Sequence, residues 1–364
     1  KDIQADLELC LQLIVSGSHL SPEFGNTYDQ IERDGFEIDE KIEMLLSSNT
    51  AVGVAKSMGL GTIGFADALS RLEPDILVIL GDRFEALAIA QVAMVMKIPI
   101  LHIHGGERTD GAYDDAIRHA VTKLSTFHAT SHEVHRKRVI QLGEAPHKVW
   151  NVGAIGLEHL SRTKLLSRDE LSDSLNFIIN APFFLVTYHP VTLACENAVE
   201  TFTNLLNALD QFPQHQVILT YPNADDGGRE IIQLIEAYAR KDAERVFAIE
   251  SLGQLRYLSA LSLTDALVGN SSSGIIEAPA YKKPTINIGS RQEGRLGSES
   301  ILHCSTEMSD ITDAIQESLK NEFLEILART VNPYGHKEIS KKIIKILKTD
   351  KPSVIKNFVD IQFE

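Results

Sequence analysis

Two short motifs set ionisable side chains where apolar runs stop. In Gly81-Asp82-Arg83-Phe84-Glu85 a glycine and three charges follow the run 76–80. In Ile100-Leu-His102-Ile-His104-Gly-Gly-Glu107 two imidazoles and a carboxylate close the run 98–103. Carboxylates and imidazoles this close together suit proton transfer or the holding of a polar ligand. His102 and His104 are two apart on an extended segment, so strand alternation points both rings the same way. An H-x-H pair with a carboxylate also suits a metal ion, yet no further ligand of convincing spacing follows. A core histidine satisfied by backbone carbonyls would account for one of the two rings, less readily for both. Asp82 and Glu85 read as acidic residues in the first turn of a helix, which the macrodipole favours. Arg83 does not, because a cation there is unfavourable unless an anion compensates it.

Three further constellations stand at comparable places. Asp114-Asp115-Ala-Ile-Arg118-His119 opens a helical stretch. Its i,i+3 and i,i+4 pairs fit an ordinary surface network with Asp114 as a cap; they equally fit paired carboxylates that divide acid and base duties. Asn270-Ser271-Ser272-Ser273-Gly274-Ile-Ile-Glu277 follows an apolar run and carries more hydroxyls than capping needs. A Ser/Gly loop of this kind presents N–H groups and hydroxyls to a phosphate, without the lysine of a P-loop. Glu277, one turn on, is placed to accept ribose hydroxyls. His189, locked by Pro190, and Arg291 each lie just past an apolar run and face the same cleft if those runs are strands.

The elements that must position these residues alternate along the chain. The runs 76–80 and 98–103 are short and β-branched, and the stretch 82–96 has the length of a packed helix, so together they read as a βαβ unit. Its polar groups then fall at the carboxyl ends of parallel strands, where open α/β sheets bind ligands. Further strands are expected at 9–15, 127–130, 149–152, 183–188, 217–220, 246–249, 265–268 and 285–288. Helices are expected at 39–46, 64–72, 114–124, 197–209, 231–238, 253–260 and 274–281, with a last helix carrying Ile339, Ile343, Ile346 and Leu347 on one face. A polar stretch at 161–176 reads as the linker. The expected fold is α/β: two doubly wound, Rossmann-like domains with a cleft between them, 1–160 and 161–335, with 336–364 packing back on the first.

Composition narrows the class. The 364 residues suit two domains, and 43% hydrophobic with 23% charged residues is the balance of a soluble enzyme. A formal charge of −15 argues against nucleic acid as a partner. No apolar run approaches a bilayer span and none reads as a signal peptide, so no membrane partner is expected. Cys10, Cys195 and Cys304 form no C-x-x-C pair, and reduced thiols in a cytoplasmic protein are the simplest account. The chain opens on Lys1 rather than methionine, and an earlier native start is expected.

Taken together, Gly81-Asp-Arg-Phe-Glu85, His102-Ile-His-Gly-Gly-Glu107, Asp114-Asp-Ala-Ile-Arg-His119 and Gly269-Asn-Ser-Ser-Ser-Gly274 resemble the hydrolysing UDP-N-acetylglucosamine 2-epimerase family. The resemblance runs from about Leu9 to the last helix. It implies a GT-B-like pair of domains, as in many nucleotide-sugar glycosyltransferases, and a UDP-sugar as partner. The implied reaction eliminates UDP to give a glycal, then adds water with inversion at C2, releasing N-acetylmannosamine for sialic-acid synthesis. By position, Asp82, Asp114 and His104 match acid–base residues, with Glu107 or Asp115 sharing that work. Ser271, Ser272 and Glu277 match contacts to diphosphate and ribose, while His189, Arg83 and Arg291 match groups around the diphosphate and sugar. His102, Asp115, Arg118, Ser273 and Gly274 complete the expected binding set. Some family members carry glutamate where this chain has His104. The family's first strand and its Gly-Thr-Arg loop would precede Lys1. Neither metal nor redox cofactor is required, and a homodimer or homotetramer is implied. A UDP-2,4-diacetamido-2,4,6-trideoxyglucose 2-epimerase is the nearest alternative; a GT-B glycosyltransferase and a non-catalytic UDP-sugar sensor are the others.

Overall fold

Parallel strands require crossovers, and this chain supplies a helix after most of its strands. The computed structural model describes residues 1–48, 50–109, 113–191, 197–222, 228–335, 338–348 and 355–361. Cys195 and, within 336–364, residues 336, 337, 349–354 and 362–364 lie outside the described residues. In the front half, β1 (Ile14–Ser16) pairs with β2 (Glu40–Ile42), and β3 (Leu77–Leu80), β4 (Ile100–Ile103), β5 (Phe127–Thr130) and β6 (Val149–Asn151) form a second sheet in that order. In the rear half, β7 (Phe183–Thr187), β8 (Gln216–Thr220), β9 (Val246–Ile249), β10 (Ala266–Gly269), β11 (Thr285–Ile288) and β12 (Ile301–Cys304) form one sheet ordered β9-β8-β7-β10-β11-β12. Every strand pairing is parallel. The expected α/β architecture, parallel sheets in two domains, is present.

In the rear sheet the winding direction reverses between β7 and β10, and a crevice opens above the carboxyl ends of those two strands. Gly269 makes the close pairing possible. At its φ of +137° a Cβ would lie 2.0 Å from the Thr187 carbonyl oxygen. His189 and the 270–274 loop leave from these two strand ends.

Several local expectations need correction. Residues 39–46 do not form a helix: Ile42 and Met44 are buried and Lys41 and Glu43 exposed, a period of two that makes β2. The strand expected at 9–15 is only Ile14–Ser16. The helix expected at 64–72 is Ala51–Leu72. Its glycines disguise it in sequence and have a packing reason: a Cβ on Gly61 or Gly64 would fall 2.6 Å from Met44 or 2.7 Å from Ile42. Within 161–176 lies the helix Arg168–Leu175, begun by a Ser167–Glu170 capping box. The helix expected at 274–281 is Ser272–Ile276 followed by the 3-10 turn Ala278–Tyr281, since Pro279 cannot continue it. β12 and the helices Glu133–Gln141, Met308–Ser318 and Asn321–Arg329 were not foreseen.

The last helix, Ile339–Leu347, buries Ile339, Ile343 and Ile346 in a cluster that holds Leu101 and Val152 of the front half and Ile275 and Ile301 of the rear. One apolar core therefore bridges the halves beneath the cleft. Among the described residues no helix is long and apolar enough to cross a membrane.

Candidate active site

β3 and β4 deliver the first groups. Asp82 and Arg83 precede the helix Phe84–Val95 rather than occupying its first turn, with Arg83 at the N-cap. Arg83 still meets the positive end of that helix, and the Glu85 carboxylate 3.9 Å from its Nε offsets the cost. The Asp82 carboxylate accepts a hydrogen bond from Arg118 Nη2.

The strand alternation that would align the two histidines ends at Ile103. His102 is wholly buried, with Nε2 2.7 Å from the Gly81 carbonyl and Nδ1 3.1 Å from the Thr122 hydroxyl. Burial pushes its ring down to about 3, and both nitrogens are taken, so it is a core residue and not the ligand contact expected. His104 leaves the strand with a φ of +67°, a left-handed conformation of order 1 kcal/mol strain for a non-glycine. Its Nε2 accepts the Ile155 N–H at 3.1 Å, which puts the neutral ring's hydrogen on Nδ1, 3.0 Å from Glu107 Oε1.

The Gly105-Gly106 turn then drops Glu107 into the interior. At Gly106 (φ +80°) a Cβ would sit 2.4 Å from the His135 carbonyl, so the turn lies flat on the helix Glu133–Gln141. Glu107 accepts the Ser131 hydroxyl at 2.6 Å and pairs with Arg295 at 2.8 Å. Burial alone would push its carboxyl up, but Arg295 and His104 outweigh this and hold it well below the usual carboxylate range.

The helix Tyr113–Leu124 brings the third set. Arg118, almost fully buried, donates to Asp82, to the Thr109 hydroxyl (2.8 Å), to the Glu107 carbonyl (3.1 Å) and toward Asp115 (3.5 Å). Asp115 also accepts the Thr109 N–H at 2.8 Å and lies 3.4 Å from His119. This is more than a surface network, because it ties Asp82, Thr109 and Asp115 through one guanidinium. Asp114, buried, lies 3.7 Å from Arg291 of the rear half.

The rear side is held mainly by neutral contacts. Asn270, fully buried, accepts the His189 N–H with its side-chain oxygen and donates its amide to the His189 carbonyl, both at 2.7 Å. This two-bond clamp joins the ends of β7 and β10 at the crevice. Arg291 Nη1 and Gln292 Nε2 donate to the Asn270 carbonyl at 3.2 and 2.7 Å. Ser271 caps the short helix by accepting Ser273 N–H at 3.3 Å. Tyr257 donates to the Ser273 hydroxyl at 2.6 Å, and Ser273 bonds to Glu277. Burial pushes the Glu277 carboxyl up. That carboxylate rests on the front half, where a Cβ on Gly156 would meet Glu277 Oε1 at 2.6 Å.

The structure thus gathers Asp82, His104, Glu107, Asp114, Asp115 and Arg118 on one wall. On the other it gathers His189, Asn270, the Ser271–Gly274 loop, Glu277 and Arg291. Sequence reasoning missed Thr109, Ser131, Tyr257 and Arg295. Only Arg295 had a readable signal, as a second arginine four residues beyond Arg291 in a strand-end loop. Among the described residues no group of three or more His, Cys, Asp or Glu side chains is arranged to hold a metal ion.

Residues 1–348 match the sequence family described as UDP-N-acetylglucosamine 2-epimerase. The chain is 40% identical to the GDP/UDP-N,N'-diacetylbacillosamine 2-epimerase (hydrolyzing) of Campylobacter jejuni, over 99% of this chain and 94% of that one. It is 32% identical to the UDP-N,N'-diacetylbacillosamine 2-epimerase (hydrolyzing) of Legionella pneumophila, over 96% and 90%. It is 34% identical to the UDP-N-acetylglucosamine 2-epimerase of Neisseria meningitidis, over 86% and 80%. In fold it is similar to the crystal structure of a Neisseria meningitidis UDP-GlcNAc 2-epimerase bound to UDP-GlcNAc, with a TM-score of 0.75, 18% identity, and coverage of 96% and 94%.

Proposed function

This chain belongs to the UDP-N-acetylglucosamine 2-epimerase family, and from that premise we propose that it is a hydrolysing 2-epimerase of a nucleotide-linked N,N'-diacetylbacillosamine, a 2,4-diacetamido-2,4,6-trideoxyhexose. The observation that carries the reading is the meeting of acid–base side chains with the rear crevice: Asp114 reaches Arg291, Glu107 reaches Arg295, and Glu277 rests on Gly156. The two relatives named for diacetylbacillosamine favour this sugar over UDP-N-acetylglucosamine, the substrate expected from the motifs. UDP-N-acetylglucosamine is the second reading, supported by the Neisseria meningitidis relative; its product would be N-acetylmannosamine.

The C2 hydrogen of such a sugar is not activated by a carbonyl, so C1–O cleavage leads and the transition state resembles an oxocarbenium ion. The nucleoside diphosphate leaves with the bonding pair. Asp82 or Asp114 takes the C2 proton, and C1=C2 forms. Water then adds, its hydroxyl to C1 and a proton to C2 from the opposite face, which inverts C2. Each proton transfer by a placed carboxylate contributes roughly 10²–10⁴-fold. Ser271, Ser272, Arg291 and the loop N–H groups hold the departing diphosphate at the β7/β10 crevice, and stabilising it is the larger task. Glu277 receives the ribose, with Arg83 and His189 flanking the sugar and diphosphate. His104 has both nitrogens engaged and shapes the cleft wall, so the acid–base role expected of it passes to the two aspartates. We place the division between domains near residue 160.

The test is incubation in D₂O with UDP- and GDP-N,N'-diacetylbacillosamine and with UDP-N-acetylglucosamine, reading the free sugar by NMR. A 2-epimerised product with deuterium at C2 from a diacetamido sugar is the expected result. The same product from UDP-N-acetylglucosamine alone favours the second reading, and no free sugar from any of them defeats both.

A further inference from the structure

We propose that Arg295 is a positioning residue that makes closure of the two halves assemble the acid–base set, a role that rests on the epimerase reading above. Arg295 belongs to the rear half, in the loop after β11, yet both its terminal nitrogens are spent on the front half. Nη1 donates to Glu107 Oε2 at 2.8 Å and Nη2 to the Thr109 hydroxyl at 3.0 Å. Thr109 passes the contact on. Its hydroxyl also takes Arg118 Nη2, the same nitrogen that donates to Asp82, and its N–H holds Asp115. Arg295 is therefore joined to Asp82 through Thr109 and Arg118, and to the His104 ring through Glu107.

The Arg295 side chain is 8% exposed, and its Nε is buried with no hydrogen-bond partner among the described residues. The guanidinium is thus seated by its front-half acceptors, and parting the halves removes them. Glu107 would then be left buried beside His104 alone on its carboxylate, with Ser131 and, around them, His135, Tyr334 and Arg118. A buried carboxylate without its cation is costly, so the front wall is complete only when the rear loop is docked on it.

Arg295→Met and Arg295→Lys test this with three readouts on the full chain: UDP affinity by calorimetry, kcat against KM, and the pH profile of kcat. Arg295→Met is expected to lower kcat by about 10²-fold, the scale of a small misplacement of reacting groups, with UDP affinity changed by less than about threefold. The acid limb should move up as Glu107 loses its cation. Arg295→Lys restores the charge but not the two-pronged reach to Thr109, and should recover part of kcat and most of the acid limb. An unchanged kcat overturns the proposal. So does a loss of UDP affinity equal to the loss of kcat, which would make Arg295 a ligand contact. So does an unmoved acid limb with no rescue by lysine, which would make it merely structural. A wild type that turns over none of the sugars defeats the epimerase reading by itself; the tie is then read from the Glu107 carboxyl ¹³C titration, which rises in Arg295→Met if the tie exists and stays in place if it does not.

Discussion

On the front wall of the cleft the carboxylates are anchored by guanidinium charges: Asp82 and Asp115 by Arg118, and Glu107 by Arg295. On the rear wall the anchors are neutral, with Asn270 clamping the His189 backbone and Tyr257 holding Ser273. The difference follows from the two tasks. A proton transfer needs a carboxylate held to a fraction of an ångström in a set ionisation state, and buried ion pairs supply both. In the proposed reading the rear wall holds a diphosphate, which needs donors, and the loop assigned to it is braced mainly through amides and hydroxyls. At the cleft, Arg291 and Arg295 carry charge from the rear wall to the front, at the places where the walls must register.

The sharpest break in that comparison separates turnover from binding. Asp82→Asn and Asp114→Asn should each lower sugar release by about 10³-fold or more, with UDP affinity within about threefold of wild type by calorimetry. Equal losses in both would mean the front wall binds rather than reacts. Next in size, Asn270→Ala leaves the buried His189 N–H and carbonyl without partners and should cost about 3 kcal/mol in urea unfolding. A cost under about 1 kcal/mol would show that the clamp does not hold the crevice. Ser271→Ala and Ser272→Ala should each lower kcat by roughly tenfold, because the diphosphate gains charge as it leaves, with UDP binding weakened as well. If affinity falls and kcat at saturation does not, the serine loop supplies uniform binding only.

A further effect concerns pH. His102 titrates at about 3 in the fold against an ordinary 6.5, so the unfolded chain binds the extra proton between those values. Stability is then fully present above pH 6.5 and falls as pH drops toward 3, by about 1.4 kcal/mol per unit for one such ring. His102→Gln should remove about one proton's worth of that slope in denaturant titrations at pH 4–6. An unaltered slope would mean His102 is not buried neutral.

Much of the fold was legible because strand and helix periods are local. β5, β9 and β11 lie where apolar runs and turn residues put them, and Ile339, Ile343 and Ile346 announced the last buried face. Failures came where a local pattern served a distant partner. The glycines of Ala51–Leu72 look like breakers until Ile42 and Met44 are seen against them. Ile42 and Met44 themselves alternate with charges over too few residues to outweigh a helical reading. The capping box at Ser167 was readable and was passed over because the stretch around it is polar.

At the cleft, residue types and strand ends were settled by sequence: which side chains can move protons, which loop offers donors, and that both lie at carboxyl ends of parallel strands. Their pairing was decided only in three dimensions. Arg295 and Glu107 are 188 residues apart, and no periodic signal links positions so distant. The opposite fates of His102 and His104 turn on one backbone dihedral at the strand's end, which hydropathy does not report. Local sequence sets which conformations are cheap; the packing of two sheets around a shared core selects which charged groups must meet.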